Sequence, residues 1–195
     1  MRDPTDRPIV EGLRRGERRA FGDAFDKYRA RVHAFLRRLS GRADVADDLF
    51  QDVWLKLARA APRLEEETDL AAWLFTVARN AHVSWRRWSM LDVSRLVALD
   101  DAPMAGPEAD RPDAKLESAR AVARLEAALR ALSTRDREVL LLVGVEGFCQ
   151  EDAAAILDIR YDAFRKRLSR ARDNLAAALR EASDPRPGEA EEVRS

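Results

Sequence analysis

The side chains best suited to chemistry in this sequence lie on an arginine-rich segment near its end. From Asp162 onward an apolar stripe repeats at helical spacing, and its members are Phe164, Leu168, Ala171, Leu175 and Leu179. The opposite face carries Arg165, Lys166, Ser169 and Asp173. Because arginine donates paired hydrogen bonds to guanine edges and to phosphates, this face suits the reading of duplex DNA. An amphipathic helix with a solvated basic face is the simpler alternative.

The segments before this helix favour a helix-turn-helix. A short helix is predicted from about Gln150 to Leu157, a turn from Asp158 to Tyr161, and a longer helix from about Asp162. In that arrangement the second helix enters the major groove. Upstream, Ser133 is predicted to cap another helix, with Asp136 three residues on as in a capping box.

A second segment, from about Asp69 to Trp88, mixes aromatic and basic side chains. Rings stack on unpaired bases while cations hold phosphates, so this mixture suits single-stranded DNA. Helical spacing places Trp73, Val77, Ala81 and Trp88 on one face, which the pattern favours as core. The outward face then carries Phe75, Arg79, Asn80, His82, Val83 and Arg86.

A third helix, predicted from about Asp44 to Ala60, has an unusual polar face. Its buried stripe comprises Val45, Leu49, Val53 and Leu57. The opposite arc comprises Asp47, Asp48, Gln51, Asp52 and Arg59. Leu55 stands in the middle of that arc, either as an ordinary exposed leucine or as a protein-binding anchor with a polar rim.

The elements that must position these residues form two helical blocks. Helical patterning covers residues 17–88 and resumes near Leu116, while residues 89–116 contain Pro103, Pro107 and Pro112 without sustained periodicity. The sequence therefore predicts an all-α protein with two small helical domains, 17–88 and 117–182, joined by a flexible linker. The proline- and glutamate-rich residues 183–195 are predicted to be a disordered tail.

Composition limits the classes of function. Lysine plus arginine equals aspartate plus glutamate at 35 each, so the formal net charge of the 195 residues is zero. A protein that binds DNA tightly by itself is usually basic. Either nucleic acid is irrelevant here, or the positive charge is gathered locally and DNA binding depends on a partner. The single cysteine, Cys149, excludes an internal disulfide, and no apolar run suggests a signal peptide or membrane insertion. We expect a soluble, cytoplasmic protein.

Enzyme chemistry is not indicated. The two histidines, His33 and His82, lie on different helices without metal-spaced partners, so no metal site is predicted. The sequence has no glycine-rich phosphate loop and no nucleophile motif, so no catalytic residue and no cofactor is predicted. Cys149, which opens a helix, is interpreted as structural.

Three segments, in order, resemble the sigma-70 family of RNA polymerase sigma factors, and specifically its extracytoplasmic-function (ECF) subgroup. DVADDLFQDVWLKLAR (44–59) is similar to the core-binding helix, and AWLFTVARNAHVSWRRW (72–88) to the promoter-melting helix. ALSTRDREVLLLVGVEGFCQEDAAAILDI with RKRLSRARDNL (within 131–175) is similar to the C-terminal domain. The short linker fits the ECF subgroup, which lacks larger middle domains.

The resemblance implies a role for each surface. The residues implied to bind a coiled coil on the largest polymerase subunit are Asp47, Asp48, Gln51, Asp52, Leu55 and Arg59. Those implied to hold unpaired bases of the −10 element, together with the loop 61–69, are Phe75, Arg79, Asn80, Val83, Arg86 and Arg87. Those implied to read the −35 element are Gln150, Glu151, Arg160, Tyr161, Arg165, Lys166, Ser169 and Arg170. An anti-sigma factor is the implied regulator.

The sequence departs from the family pattern at two places. A Gly-Thr-Val run commonly opens the recognition helix, where this chain has Asp162, Ala163 and Phe164. The common turn glycine is Asp158 here, and aspartate tolerates the left-handed conformation. The turn is therefore expected to survive, while Asp162 adds negative charge beside the groove.

Two other interpretations remain at this point. A stand-alone helix-turn-helix regulator explains the C-terminal segments but leaves the acidic arc and Leu55 without a purpose. A sigma mimic that only sequesters an anti-sigma factor would not need a basic recognition face. The sigma-factor interpretation further predicts weak promoter binding by the free chain and strong binding by the holoenzyme.

Overall fold

The computed structural model describes residues 3–91 and 114–181, where every regular element is helical, which confirms the all-α prediction. The α-helices are α1 (Arg7–Arg14), α2 (Arg18–Ser40), α3 (Ala43–Ala60), α4 (Leu70–Leu91), α5 (Ala114–Ala131), α6 (Thr134–Leu140), α7 (Gln150–Ile156) and α8 (Tyr161–Glu181). We call residues 3–91 the N-terminal block and residues 114–181 the C-terminal block. Most of the predicted linker and all of the predicted tail lie outside the described residues.

Helix α1 was not predicted from the sequence, yet it is firmly docked. Val10 and Leu13 are buried, and the buried carboxylate of Asp6, just before α1, accepts hydrogen bonds from Tyr28 and Lys27 on α2. A helix of eight residues carries too few apolar positions for its periodicity to be distinctive. Its docking side chains are therefore the reason it forms.

Helices α2, α3 and α4 form the core of the N-terminal block. Helix α2 ends at Ser40, because Gly41 takes a left-handed φ of 69° and its N–H donates to the carbonyl of Arg37. The stripe predicted for α3, from Val45 to Leu57, is buried as expected. Asp69 starts α4 by accepting the N–H of Ala72 at 2.9 Å, so the loop 61–69 has a fixed end.

The C-terminal block is built on the helix-turn-helix that the sequence predicted. Ser133 caps α6 by accepting the N–H of Asp136 at 3.2 Å, and a π-helical turn, Leu141–Val145, follows α6. Asp158 occupies the turn between α7 and α8 with a left-handed φ of 51°, as expected. Phe164 is fully buried beneath α8, which fixes the face that this helix presents outward.

The two blocks pack against each other. Phe75 on α4 meets Phe148, which precedes α7, with 5.3 Å between ring centroids. Arg31 on α2 donates to the carboxylate of Glu146, and the guanidinium of Arg137 on α6 donates to carbonyls at the end of α2. This contact decides which parts of α4 are reachable.

Candidate nucleic-acid interface

The basic face of α8 is open to solvent. Arg165, Lys166, Ser169 and Arg170 are all exposed, whereas Phe164, Leu168 and Ala171 on the opposite face are buried. The predicted helical wheel is therefore confirmed for these positions. The guanidinium of Arg165 lies 6.0 Å from the ring centroid of Tyr161, one turn earlier, which restricts its rotamers.

The start of α7 lies beside the start of α8. Cys149 is the N-cap of α7, and its sulfur accepts the N–H of Asp152 at 3.4 Å. Glu151 and Arg160 are exposed and Gln150 is half-buried. Loss of hydration raises the pKa of Tyr161, and a hydrogen bond with Glu151 raises it further, so Tyr161 of α8 lies beside Glu151 of α7.

The polar arc of α3 is likewise exposed over its whole length. Its exposed members are Asp47, Asp48, Gln51, Asp52, Leu55 and Arg59. Leu55 is 54% exposed among them, so it is an apolar side chain that no described residue covers. The arc is anchored at one end, where Nε2 of His33 lies 2.7 Å from Oδ1 of Asp47.

The predicted orientation of α4 is wrong at three positions. Phe75 and His82, expected to face outward, are 0% and 1% exposed, whereas Trp88, expected in the core, is 73% exposed. Phe75 packs between Phe35 on α2 and Phe148 of the C-terminal block, at centroid distances of 5.1 and 5.3 Å. Because α4 is covered on two sides, a single apolar stripe did not describe its buried surface.

The remaining predicted −10 residues lie at the edge of the contact between the blocks. Asn80 and Arg87 are exposed, and Val83 and Arg86 are half-buried. Arg79 is only 21% exposed, and its Nε lies 3.7 Å from Oε1 of Glu138 on α6. Its Nη1 donates to the side-chain oxygen of Asn80 at 3.2 Å.

Burial and neighbouring arginine charges shift the pKa values of two side chains at this edge. Burial, and then the positive charges of Arg86, Arg137 and Arg79, lower the pKa of His82 to about 4, so the ring is neutral at pH 7. Burial also raises the pKa of Glu138, although the neighbouring arginines oppose this. Sequence reasoning did not identify Glu138 as part of this site, because a charged residue on a short helix carries no sign of burial.

Within residues 3–91 and 114–181, no cluster of three histidine, cysteine, aspartate or glutamate side chains has the arrangement of a metal site. None of the helices in these two ranges has the length and apolar character that crossing a membrane requires.

Comparison with known proteins identifies the family. Two family models match the chain, Sigma-70 region 2 over residues 24–88 and Sigma-70, region 4 over residues 123–175. The ECF RNA polymerase sigma factor EcfG of Rhodopseudomonas palustris is 37% identical over 150 residues, which is 76% of this chain and 78% of EcfG. The chain belongs to the sigma-70 family. It is an ECF sigma factor, a transcription initiation factor that directs core RNA polymerase to promoters, and not an enzyme.

Further relatives agree with this identification. The RNA polymerase sigma factor CarQ of Myxococcus xanthus is 33% identical over 172 residues, which is 88% of this chain and 96% of CarQ. The solved structure of the sigma factor RpoE of Bartonella quintana, in complex with the anti-sigma factor NepR, has a TM-score of 0.70 at 31% identity. The match covers 82% of this sigma factor and 96% of that RpoE chain. Matches of this extent, with both regions present, set aside a stand-alone regulator and a sigma mimic.

Proposed function

We propose that this sigma factor uses three surfaces, on α3, α4 and α8, for three separate contacts in transcription initiation. Residues 17–88 form region 2, residues 117–182 form region 4, and residues 89–116 link them. The observation that carries the proposal is that every residue of the α3 arc and all four α8 side chains are exposed, on helices that the two family models match.

The α3 arc binds core polymerase. Its chemistry is that of a protein interface, because Leu55 supplies an exposed apolar anchor and the surrounding carboxylates supply a polar rim. Asp48 and Asp52 stand one helical turn apart on this arc, so both can face a basic surface at once. The hydrogen bond with His33 holds the Asp47 end of the arc in place.

The end of α4 and the loop 61–69 hold the unpaired −10 bases. Asn80 and Arg87 are exposed, and Arg79 and Arg86 supply further cations for phosphates. Trp88, exposed beside Arg87, offers the ring on which a base can stack. Phe75 supports this surface from beneath α4 and does not contact DNA.

The exposed face of α8 reads the −35 element. Arg165 and Lys166 open this helix as donors to base edges and phosphates, with Ser169 and Arg170 one turn later. Gln150, Glu151, Arg160 and Tyr161 line the same surface from the start of α7 and from the turn. Contacts between the start of α7 and the sugar-phosphate backbone of DNA position the recognition helix in the major groove.

We further propose that an anti-sigma factor controls this protein in the cytoplasm. The RpoE relative was solved with such a partner, the anti-sigma factor NepR. The exposed Leu55 with its acidic rim is a surface that a regulator can cover in competition with core polymerase.

Charge reversal on α3 tests the proposal. In the variant Asp48→Arg/Asp52→Arg, two carboxylates of the polar rim become cations, so affinity for purified core polymerase should fall roughly a hundredfold. Run-off transcription from a genomic promoter library should fall in parallel. Affinity is measured by fluorescence titration of the labelled sigma factor with core enzyme.

The matched control is Asp23→Arg/Asp26→Arg, which makes the same charge change on exposed carboxylates of α2. It should bind core polymerase as the wild type does. Unchanged affinity in the α3 variant, or an equal loss in the α2 control, would show that the arc is not the polymerase-binding surface.

A further inference from the structure

The contact between the two blocks covers part of the surface proposed for the −10 element. Phe75 and His82 are fully buried, and Arg79 retains 21% of its side-chain exposure. Glu138 of α6, itself 4% exposed, brings its carboxylate to 3.7 Å from the Arg79 guanidinium. A carboxylate there occupies the place where an arginine that holds DNA would meet a phosphate.

We propose that in the free sigma factor the C-terminal block closes over α4, that Glu138 takes the place of nucleic acid at Arg79, and that Arg79 becomes available to the −10 bases only when the blocks separate. This inference rests on the proposed role of α4. The contacts that carry it come from α6 and from Glu146, which follows the π-helical turn.

The first contact is a buried arginine on α6 that joins the ends of two other helices, α5 and α2. Arg137 is 9% exposed and donates to the carbonyls of Leu129, Arg130 and Leu132 in its own block, at 2.7–3.1 Å. It also donates across the interface to the carbonyl of Arg38 at 3.0 Å, in the last turn of α2. Such carbonyls lack partners within their helix and carry its negative dipole end, so a buried cation is well placed there.

The second contact is an ion pair at the rim of the interface. Arg31 on α2 donates from Nε to Oε2 of Glu146 and from Nη2 to the Glu146 carbonyl, each at 3.0 Å. The Glu146 side chain is 4% exposed, and its guanidinium partner also lies 5.6 Å from the Phe75 ring centroid. The same arginine therefore touches both sides of the closed contact.

The character of the interface explains why it can open. Beside the apolar contact of Phe75 with Phe148, the interface consists of ion pairs with buried carboxylates. Lost hydration offsets much of the attraction in these pairs, so this part of the interface holds less tightly than an apolar surface of the same size. Burial raises the pKa of both Glu138 and Glu146, which is the signature of that lost hydration. The closed state is thus stable enough to dominate and weak enough for a partner to reverse it.

A distance measurement tests closure directly. Labels at Asp23→Cys on α2 and Asp173→Cys on α8, in a Cys149→Ser background, report the separation of the blocks by double electron–electron resonance. The free wild-type sequence should give one narrow distance. Arg31→Glu, which sets two carboxylates against each other, should broaden it, and the exchange Arg31→Glu/Glu146→Arg should restore it.

The control is Arg29→Glu, the same charge change at an exposed arginine two residues away that pairs with Asp26 and makes no ion pair across the interface. It should leave the distance narrow. Circular dichroism of each variant establishes that the helices are intact, and rescue by the charge exchange separates lost pairing from lost folding. A broad distance in the wild type, or no difference between the two arginine variants, would overturn the proposal.

DNA binding tests the consequence. When the competent state is a minor one, apparent affinity is reduced by its population, so opening a state populated at about 10% improves apparent affinity roughly tenfold. Arg31→Glu should therefore bind a fluorescein-labelled single-stranded oligonucleotide of mixed sequence roughly tenfold more tightly than Arg29→Glu does. If Arg31→Glu binds the oligonucleotide no more tightly than Arg29→Glu does, masking is refuted. If the wild-type holoenzyme produces no run-off transcript, the proposed function is refuted instead.

Discussion

Helices α4 and α8 both carry arginines proposed to hold DNA, yet the two helices differ in how far these side chains are exposed to solvent. On α8 the apolar face is buried and the basic face is open, so Arg165 and Lys166 are available in the free chain. On α4 the N-terminal block covers one side and the C-terminal block another, so Arg79 is largely enclosed. The free sigma factor therefore exposes the surface proposed to read duplex DNA and encloses part of the surface proposed to hold single strands.

This difference follows the order that promoter opening requires. Duplex DNA exists before melting, and an exposed α8 can meet it without rearrangement. Unpaired bases appear only after melting, when a surface with exposed rings and cations is needed. A protein whose net charge is zero gains selectivity from this arrangement, because stray single strands find few free cations on α4.

The comparison breaks most severely if Phe75 contacts bases. We expect Phe75→Ala to lower the free energy of unfolding by about 3–5 kcal/mol, because it empties a site packed against Phe35 and Phe148. Trp88→Ala, at a 73% exposed position of the same helix, should change it by less than about 0.5 kcal/mol. Urea titrations followed by circular dichroism measure both. A near-neutral Phe75→Ala with impaired promoter melting would place Phe75 on the DNA surface.

The pH dependence of the free energy of unfolding tests how well the enclosed side of α4 excludes water. The pKa of His82 is lowered to about 4 in the folded chain, so the folded state excludes a proton that the unfolded chain binds below about 6.5. The contribution of the neutral ring to the free energy of unfolding is complete above that pH. This contribution falls by roughly 3 kcal/mol as the pH falls towards 4. His82→Gln should lack this loss, since its amide does not titrate.

The readout is the difference between the wild-type and His82→Gln free energies of unfolding at each pH, from urea titrations. Glu138 and Glu146 titrate in the opposite sense, because their pKa values are raised by burial, and they are present in both proteins. The ring faces Arg86, Arg137 and Arg79 in the wild type, and the variant keeps the same three arginines. A constant difference across the series would mean that the ring is hydrated.

The smallest expected effect lies in the turn that presents α8. Asp158 has a left-handed φ of 51°, which glycine adopts at lower cost than aspartate does. Asp158→Gly should therefore raise the free energy of unfolding by about 0.5 kcal/mol, with no change in affinity for duplex promoter DNA. Thermal unfolding and a duplex titration measure the two quantities. A weakened duplex affinity would assign Asp158 a part in DNA reading.

Much of the fold was determined by the sequence itself. The stripes of α3 and α8 repeat at helical spacing, Ser133 and Gly41 mark helix ends, and Asp158 fits the turn. These are local features, and each side chain acts on backbone groups or faces within a few residues of its own position. The exposed arcs followed as the complements of the buried stripes.

Tertiary structure alone decided the surface of α4 and the contact between the blocks. Phe75, His82 and Trp88 were misplaced, because burial on a helix packed from two sides is set by partners distant in the chain. Arg137 reaches a carbonyl 99 residues away, and Glu138 meets Arg79 on another block. Periodicity describes how one helix divides into faces, but which charged side chain is enclosed depends on what packs against it.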